Sequence, residues 1–250
     1  MQDNLVSIIT PIYNAECFIS DTIKSVESQT YQKWEMILVD DCSSDSSKTV
    51  IEAYAKEDAR IKCLALPENS GAAIARNKGI LRARGRFIAF IDSDDQWDSE
   101  KLARQLAFMK ENQASFTFTA YEMVNEKGER LNKIVKVPQT INYEQLLKNT
   151  IIGCSTVIID RQMIGDFSMP LVRKGQDTAT WLSILRADHV AHGLNEVLAQ
   201  YRVVSGSISS SKISALKRTW HTYRKIEKLN LVKCTYVFIF YIFNALKKRM

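Results

Sequence analysis

The chain has 250 residues with the composition of an ordinary soluble globule, enough for one full α/β core or one domain with an appendage. Five cysteines (Cys17, Cys42, Cys63, Cys154, Cys234), odd in number and without a C-x-x-C pair, argue against a disulfide framework or a zinc site and favour a reducing compartment. The net charge of +6 belongs to the tail: residues 212–250 hold ten Lys or Arg against the single acid Glu227, leaving 24 basic and 27 acidic side chains before them.

Met1 leads through polar residues straight into an apolar run, with no signal-peptide pattern, so a cytoplasmic protein is expected. Leu5 to Thr10 reads as a short strand stopped by Pro11-Ile-Tyr-Asn14. Phe18, Ile19, Thr22, Ile23 and Val26 recur at helical spacing, and Trp34 to Val39 supplies a second strand, completing a βαβ unit. That strand ends in Asp40 and Asp41, with Ser43, Ser44 and Asp45 as turn and N-cap groups for a helix carrying Val50, Ile51 and Tyr54. Ile61 to Leu66 gives a third strand. After the loop Pro67 to Gly71, Ala72 to Ala83 reads as a helix bearing Arg76 and Asn77, with Gly85 just past its end.

Phe87 to Ile91 has the length and content of a strand buried on both faces, and it runs into Asp92, Ser93, Asp94 and Asp95. Ligands of open α/β sheets bind at the carboxyl ends of strands. Three acids in close proximity repel one another unless a cation sits among them, and oxygen ligands suit Mg²⁺ or Mn²⁺. The alternative is a turn that caps the next helix. Ser99 reads as the cap of a helix carrying Leu102, Leu106 and Met109. Strand and helix alternate to about residue 110, which predicts a mostly parallel sheet with right-handed crossovers.

The pattern then changes. Phe116 to Asn125 and Arg130 to Val137 flank Glu126-Lys-Gly-Glu129 as a hairpin, so a smaller antiparallel portion is expected. Asn142-Tyr-Glu-Gln145 is a capping box, Thr156 to Ile159 a strand, and the loop Phe167 to Gly175 precedes a helix opening on Gln176-Asp177. Val197 to Val203 is the last strand. No repeat or low-complexity linker divides residues 1–205.

Four blocks resemble, in order, the signatures of family 2 glycosyltransferases with the GT-A type of fold: Val6-Ser-Ile-Ile-Thr-Pro-Ile-Tyr-Asn14, Leu38-Val-Asp-Asp-Cys-Ser-Ser-Asp45, Gly71-Ala-Ala-Ile-Ala-Arg-Asn77 and Ile91-Asp-Ser-Asp-Asp95. Within the family the chain looks most like enzymes that build bacterial capsule, teichuronic-acid or lipopolysaccharide sugars. The resemblance implies that residues 1–211 are the catalytic domain, with 1–110 the nucleotide-binding half and 111–211 the acceptor half. It implies that Thr10, Pro11 and Tyr13 frame a nucleoside and that Asp41 accepts hydrogen bonds from uracil. Taken singly, Tyr13 is more often a packed ring and Asp41 a helix cap; their placement at the carboxyl ends of two neighbouring strands favours the nucleoside reading. Asp92-Ser-Asp94 becomes the D-x-D element: Asp94 and Asp95 are the metal and ribose candidates, with Asp92 behind them. Arg76 adds charge near the phosphates, or is an exposed helix arginine. Asp177, matching the acid late in the family's domain, is the expected general base and implies inversion; otherwise it is an N-cap. Gln176 stands where Glu is common.

Tyr201 to Ser209 resembles the family's closing loop, with Val204 and Ser205 where many relatives carry His. His189, His192 and His221 lack ligand spacing and read as surface or packing residues. Trp97 either lines the acceptor pocket or packs. In residues 212–250, Ile213, Leu216, Trp220, Tyr223 and Ile226 form one apolar helical face among basic residues, and Tyr236 to Phe243 is an apolar run too short to span a bilayer. An in-plane anchor on an anionic membrane is expected, the alternative being a helix packed on the catalytic domain or a second subunit. Nucleic acid is disfavoured for want of a reading motif. The expectation is a metal-assisted inverting transferase at the inner face of the cell membrane, moving a sugar from a UDP-sugar to a glycan or lipid-linked acceptor. A homo-oligomer is left open. The rivals are a nucleotidyltransferase, which would want a Gly-rich triphosphate loop where Pro11 to Ala15 stands, and a non-catalytic nucleotide-binding module.

Overall fold

Strand β1 (Gln2–Ile12) is the spine of the sheet because its side chains are apolar on both faces. Ile8 and Ile12 pack into one helical layer and Ile9 into the other. From β1 the chain passes through α1 (Ile19–Glu27), β2 (Trp34–Asp40), α2 (Ser47–Glu57) and β3 (Ile61–Ala65), moving outward along one side. Helix α3 (Ala72–Arg82) then returns it to β4 (Gly85–Phe90) on the other side of β1, all four strands parallel. That reversal opens a crevice at the carboxyl ends of β1, β2 and β4, where ligands of such sheets bind. The computed structural model describes residues 1–204 and 212–247, with side chains for 1–204 and 215–245.

The second half adds β5 (Gln96–Trp97), α4 (Lys101–Glu111), β6 (Phe116–Val124), β7 (Arg130–Val135), β8 (Thr140–Ile141), α5 (Tyr143–Lys148), a 3₁₀ turn (Cys154–Thr156), β9 (Ile158–Asp160), α6 (Arg161–Ile164), α7 (Gln176–Arg186) and β10 (Ala191–Arg202). The strand order is β3-β2-β1-β4-β9-β6-β10-β5, with β7 beside β6 and β8 beside β10. Strand β9 runs antiparallel between β4 and β6, while β6 and β10 are parallel. The expected hairpin is β6–β7, and Asn142 and Gln145 make both bonds of the capping box.

Four local expectations give way. Strand β1 continues through Pro11, because at that residue the backbone nitrogen faces the β4 side, where pairing has ended at Ile9. Gly85 is no helix stop: it begins β4 where a Cβ would lie 2.4 Å from the Leu5 carbonyl oxygen. Asp98, not Ser99, serves the start of α4, accepting from the Glu100 N–H at 2.9 Å. Strand β10 begins six residues before the expected Val197, its alternation broken by irregular register between Leu194 and Ala199.

The tail folds back onto the body. Helix α8 (Lys212–His221), a π-helical turn (Thr222–Ile226) and α9 (Leu231–Lys247) lie in the layer of α5 and α7. Tyr223, Leu229, Cys234 and Val237 join the same buried cluster as Leu147 and Trp181. The Tyr223 hydroxyl donates to the Leu147 carbonyl. Glu227 accepts from the Tyr143 hydroxyl at 2.7 Å and pairs with Arg186 at 2.8 Å. Trp220 meets the edge of Phe238 at 5.1 Å. The apolar face expected to lie on a membrane is thus spent inside the protein at Tyr223 and partly at Trp220; the Ile213 side chain lies outside the described residues. What α9 exposes is a second stripe: Val232, Tyr236, Ile239, Phe240 and Phe243, spaced i, i+4, i+7, i+8, i+11. No helix among the described residues is long and apolar enough to cross a membrane.

Candidate active site

The loops after β1 and β2 lock together at the mouth of the crevice. Asn14 and Cys42 take left-handed backbone angles (φ 49° and 61°), turning the chain off the two strand ends. Asn14 Oδ1 accepts from the Ser44 N–H at 2.9 Å, the Ala15 N–H donates to Ser47 Oγ at 2.8 Å, and the Ser46 N–H donates to Glu16 at 2.8 Å. Asp41, buried at the end of β2, accepts the N–H groups of Ser70 and Gly71, one on each oxygen, both at 2.7 Å. It thereby draws the start of α3 to the crevice and keeps further lone pairs for a ligand N–H. Tyr13 is 53% exposed over the opening, so its ring is free to cover a base.

At the end of β4, Asp92 Oδ1 is 2.5 Å from Arg76 Nη2. Arg76 is buried, not an exposed helix arginine, and its Nε and Nη1 lack hydrogen-bond partners. The Asp94 carboxyl is pushed up to about 6, first by burial and then by the charge of Asp92. Asp95 is 1% exposed; its Oδ2 accepts from Ser155 Oγ at 2.5 Å and its Oδ1 from the Arg202 N–H at 2.9 Å. Burial, with the charges of Asp94 and Asp92, holds it well above the ordinary carboxylate range. The Arg202 guanidinium donates to the Asp94 and Glu126 carbonyls, each at 2.8 Å, and lies over Phe18 at 5.1 Å. Asp95 is therefore built as a strut that fastens β10 to the acidic loop. Both of its oxygens accept from protein donors, and Asp92, Asp94 and Asp95 all line the cavity, with Asp92 and Asp94 the less buried of the three.

The described residues contain no cluster of three or more His, Cys, Asp or Glu disposed to hold a metal. Asp92, Asp94 and Asp95 are the cavity carboxylates that could hold a hard cation of the Mg²⁺ type, which binds through one or two carboxylates and completes its shell with substrate phosphates and water. Burial and the charge of Asp92 disfavour the ionised form of Asp94, which a nearby positive charge would favour.

On the far wall, α7 starts at Gly175 (φ 76°), and Asp177 sits in its first turn. Its carboxyl is raised by burial, against a hydrogen bond from its neighbour Thr178 and the charge of Arg76. Gln176 is buried, with Oε1 unpartnered.

These parts surround one cavity of about 900 Å³. Of the residues singled out by sequence, Pro11, Tyr13, Asp41, Arg76, Asp92, Asp94, Asp95 and Asp177 line it. Thr10 does not: it is fully buried in β1, beneath the floor. Trp97 packs, donating its indole N–H to the Ser155 carbonyl at 2.7 Å with Lys101 Nζ 4.1 Å above its ring. Sequence reasoning missed Phe18, Tyr121, Ser155, Arg173, Lys174 and Arg218, while Tyr201 of the expected closing loop also lines the cavity, its ring 5.9 Å from that of Tyr121. Tyr121, Ser155 and Arg218 reach the cavity by tertiary packing, whereas Arg173 and Lys174 stand four and three residues before Asp177. Residues 205–209 of the expected closing loop lie outside the described residues.

A family model described as Glycosyl transferase family 2 matches residues 7–165. A glycosyltransferase of Bacillus subtilis (strain 168) named for teichuronic acid biosynthesis, TuaG, is 51% identical over 98% of this chain and 98% of its own length. The Escherichia coli UDP-Glc:alpha-D-GlcNAc-diphosphoundecaprenol beta-1,3-glucosyltransferase WfgD is 43% identical, covering 99% of this chain and 96% of WfgD. Among solved structures, S. aureus TarS 1-349 in complex with UDP-GlcNAc superposes with a TM-score of 0.75 at 20% identity, covering 97% of this chain and 72% of that one.

Proposed function

This chain belongs to glycosyl transferase family 2 and is a glycosyltransferase, and on that premise we propose that it moves a sugar from a UDP-sugar onto a glycan or lipid-linked acceptor, with inversion, in bacterial surface polysaccharide synthesis. One observation carries the reading: Asp41, Asp94 and Asp177, delivered by β2, by the loop after β4 and by α7, line a single cavity of about 900 Å³, room for a nucleotide sugar and the end of an acceptor.

Asp41 takes the N–H of the pyrimidine and Tyr13 covers its face, an assignment of roles that follows from their chemistry and exposure. Asp94, supported by Asp92, would hold a divalent cation. Such a cation neutralises charge on the departing diphosphate. Arg76 fixes Asp92 through its 2.5 Å pair and keeps positive charge beneath the reacting groups. Asp177 removes the acceptor hydroxyl proton as the oxygen attacks the anomeric carbon and the carbon–oxygen bond to the diphosphate breaks. A base on the face opposite the leaving group gives inversion. Its raised affinity for protons suits a group that must take one up.

The exposed stripe of α9, set in a tail with ten basic residues, is assigned to an anionic membrane surface, placing the enzyme at the cytoplasmic face where a lipid-linked acceptor resides. Transfer assayed against UDP-, GDP- and dTDP-sugars with Mn²⁺ or Mg²⁺ tests the function. UDP-sugar turnover that disappears in Asp177→Asn, with UDP binding kept, supports it; equal turnover by the variant removes Asp177 from the mechanism.

A further inference from the structure

Three basic side chains border the cavity on the wall that carries Asp177: Arg173, Lys174 and Arg218. Arg173 and Lys174 are exposed and precede the start of α7 directly, while Arg218 comes from α8 in the tail. Arg218 lies against Gly175, where an added Cβ would come within 3.0 Å of Arg218 Cδ. Among the described residues none of the three makes an ion pair or hydrogen bond, whereas Arg76 and Arg202, the other arginines of the cavity region, are both engaged. The wall is thus supplied with unspent cationic donors at the N-terminus of an eleven-residue helix, where the dipole adds to their field.

We propose that Arg173, Lys174 and Arg218 form an anion-binding subsite for the acceptor, recognising an acidic group, phosphate or carboxylate, carried near the hydroxyl that receives the sugar. The inference rests on the functional reading above, in which Asp177 meets that hydroxyl. Lys174 is three residues from Asp177 and Arg218 bears on its electrostatics, so whatever this rim holds is held next to the base. The nucleotide side of the cavity, Pro11 to Ala15 with Asp41, Asn69 and Gly71, is built from other elements. The family match ends at residue 165, before any of the three cations. Its position also couples to the tail: α8 supplies Arg218, and α9 carries the exposed apolar stripe.

The test compares three acceptors with the same terminal sugar, attached to a lipid diphosphate, to a uronate or to a neutral alkyl group, using wild type, Arg218→Gln, Lys174→Gln and the double variant. The expected result is that the preference for an acidic over the neutral acceptor, read as a ratio of kcat/KM, falls about tenfold per substitution. UDP affinity by calorimetry is expected to stay within about twofold of wild type. Loss confined to the diphosphate acceptor identifies phosphate as the recognised group, and loss confined to the uronate identifies carboxylate. An unchanged preference, or a parallel loss of UDP affinity, overturns the proposal, the latter by assigning the cations to the donor. If wild type binds UDP yet transfers to no acceptor, the functional reading fails by itself. Direct binding of the sugar diphosphate and the uronate disaccharide then decides the subsite: weaker binding to Arg218→Gln supports it, and equal or absent binding overturns it.

Discussion

The Arg202 N–H donates to Asp95 Oδ1, 107 residues away in sequence, at 2.9 Å, and the Arg202 side chain reaches the neighbouring Asp94 carbonyl at 2.8 Å. The end of β10 is thereby fixed to the acidic loop after β4. Arg202→Ala leaves the Asp94 and Glu126 carbonyls without this donor and removes the ring contact with Phe18. The expected cost is about 1–3 kcal/mol in chemical denaturation, with transfer activity falling alongside because Asp94 loses its alignment. Wild-type stability and activity in this variant would show that the connection is incidental.

The acidic loop makes stability depend on pH in an unusual direction. A carboxyl whose affinity for protons is higher folded than unfolded contributes stability below its unfolded value of about 3.9, and that contribution is lost as pH rises through the folded value. For Asp94 that folded value is about 6, so metal-free protein is expected to lose stability between roughly pH 4 and 7. Asp94→Asn removes the repulsion and should raise stability at pH 7.5 by about 1–3 kcal/mol while flattening the pH dependence. Thermal melts across pH, with and without chelator, measure this. A variant less stable than wild type at every pH would contradict it.

Asp177 should govern the acid limb of the rate. Its carboxyl is raised by burial, so kcat/KM is expected to fall with decreasing pH around a midpoint above the ordinary aspartate value of about 3.9. In Asp177→Asn the loss should be about 10²–10⁴-fold, with UDP affinity retained. A pH–rate profile of the two proteins checks both statements.

The stripe on α9 predicts binding to anionic vesicles. Ile239 and Phe243 are 61% and 65% exposed, so Ile239→Glu with Phe243→Glu should abolish vesicle flotation without lowering the melting temperature. Flotation of the double variant equal to wild type would remove α9 as the contact.

Much of this was legible in the sequence, for physical reasons. The strands around β1 are short apolar runs ending in acids, and periodicity finds those directly; Asp41, Asp92, Asp94 and Asp177 stand at or just beyond element ends, where local patterns are strongest. What escaped depends on distant parts of the chain. Ser155 reaches Asp95 across 60 residues, and Arg218 reaches Gly175 only because the tail turns back along α5 and α7. The two protein donors that meet Asp95 come from residues 155 and 202, so its neighbours in the chain give no sign of them. The first half of β10 was hidden because its bulges break the period of two on which strand reading relies.

Calorimetric titration of UDP into wild type and Asp94→Asn, each with Mn²⁺ and with chelator, tests most directly whether Asp41, Asp94 and Asp177 surround a nucleotide site. Wild type should bind UDP at least about tenfold more tightly with the cation than without it, and Asp94→Asn should lose that difference. Undetectable UDP binding by wild type, or a cation effect of the same size in both proteins, would contradict the account.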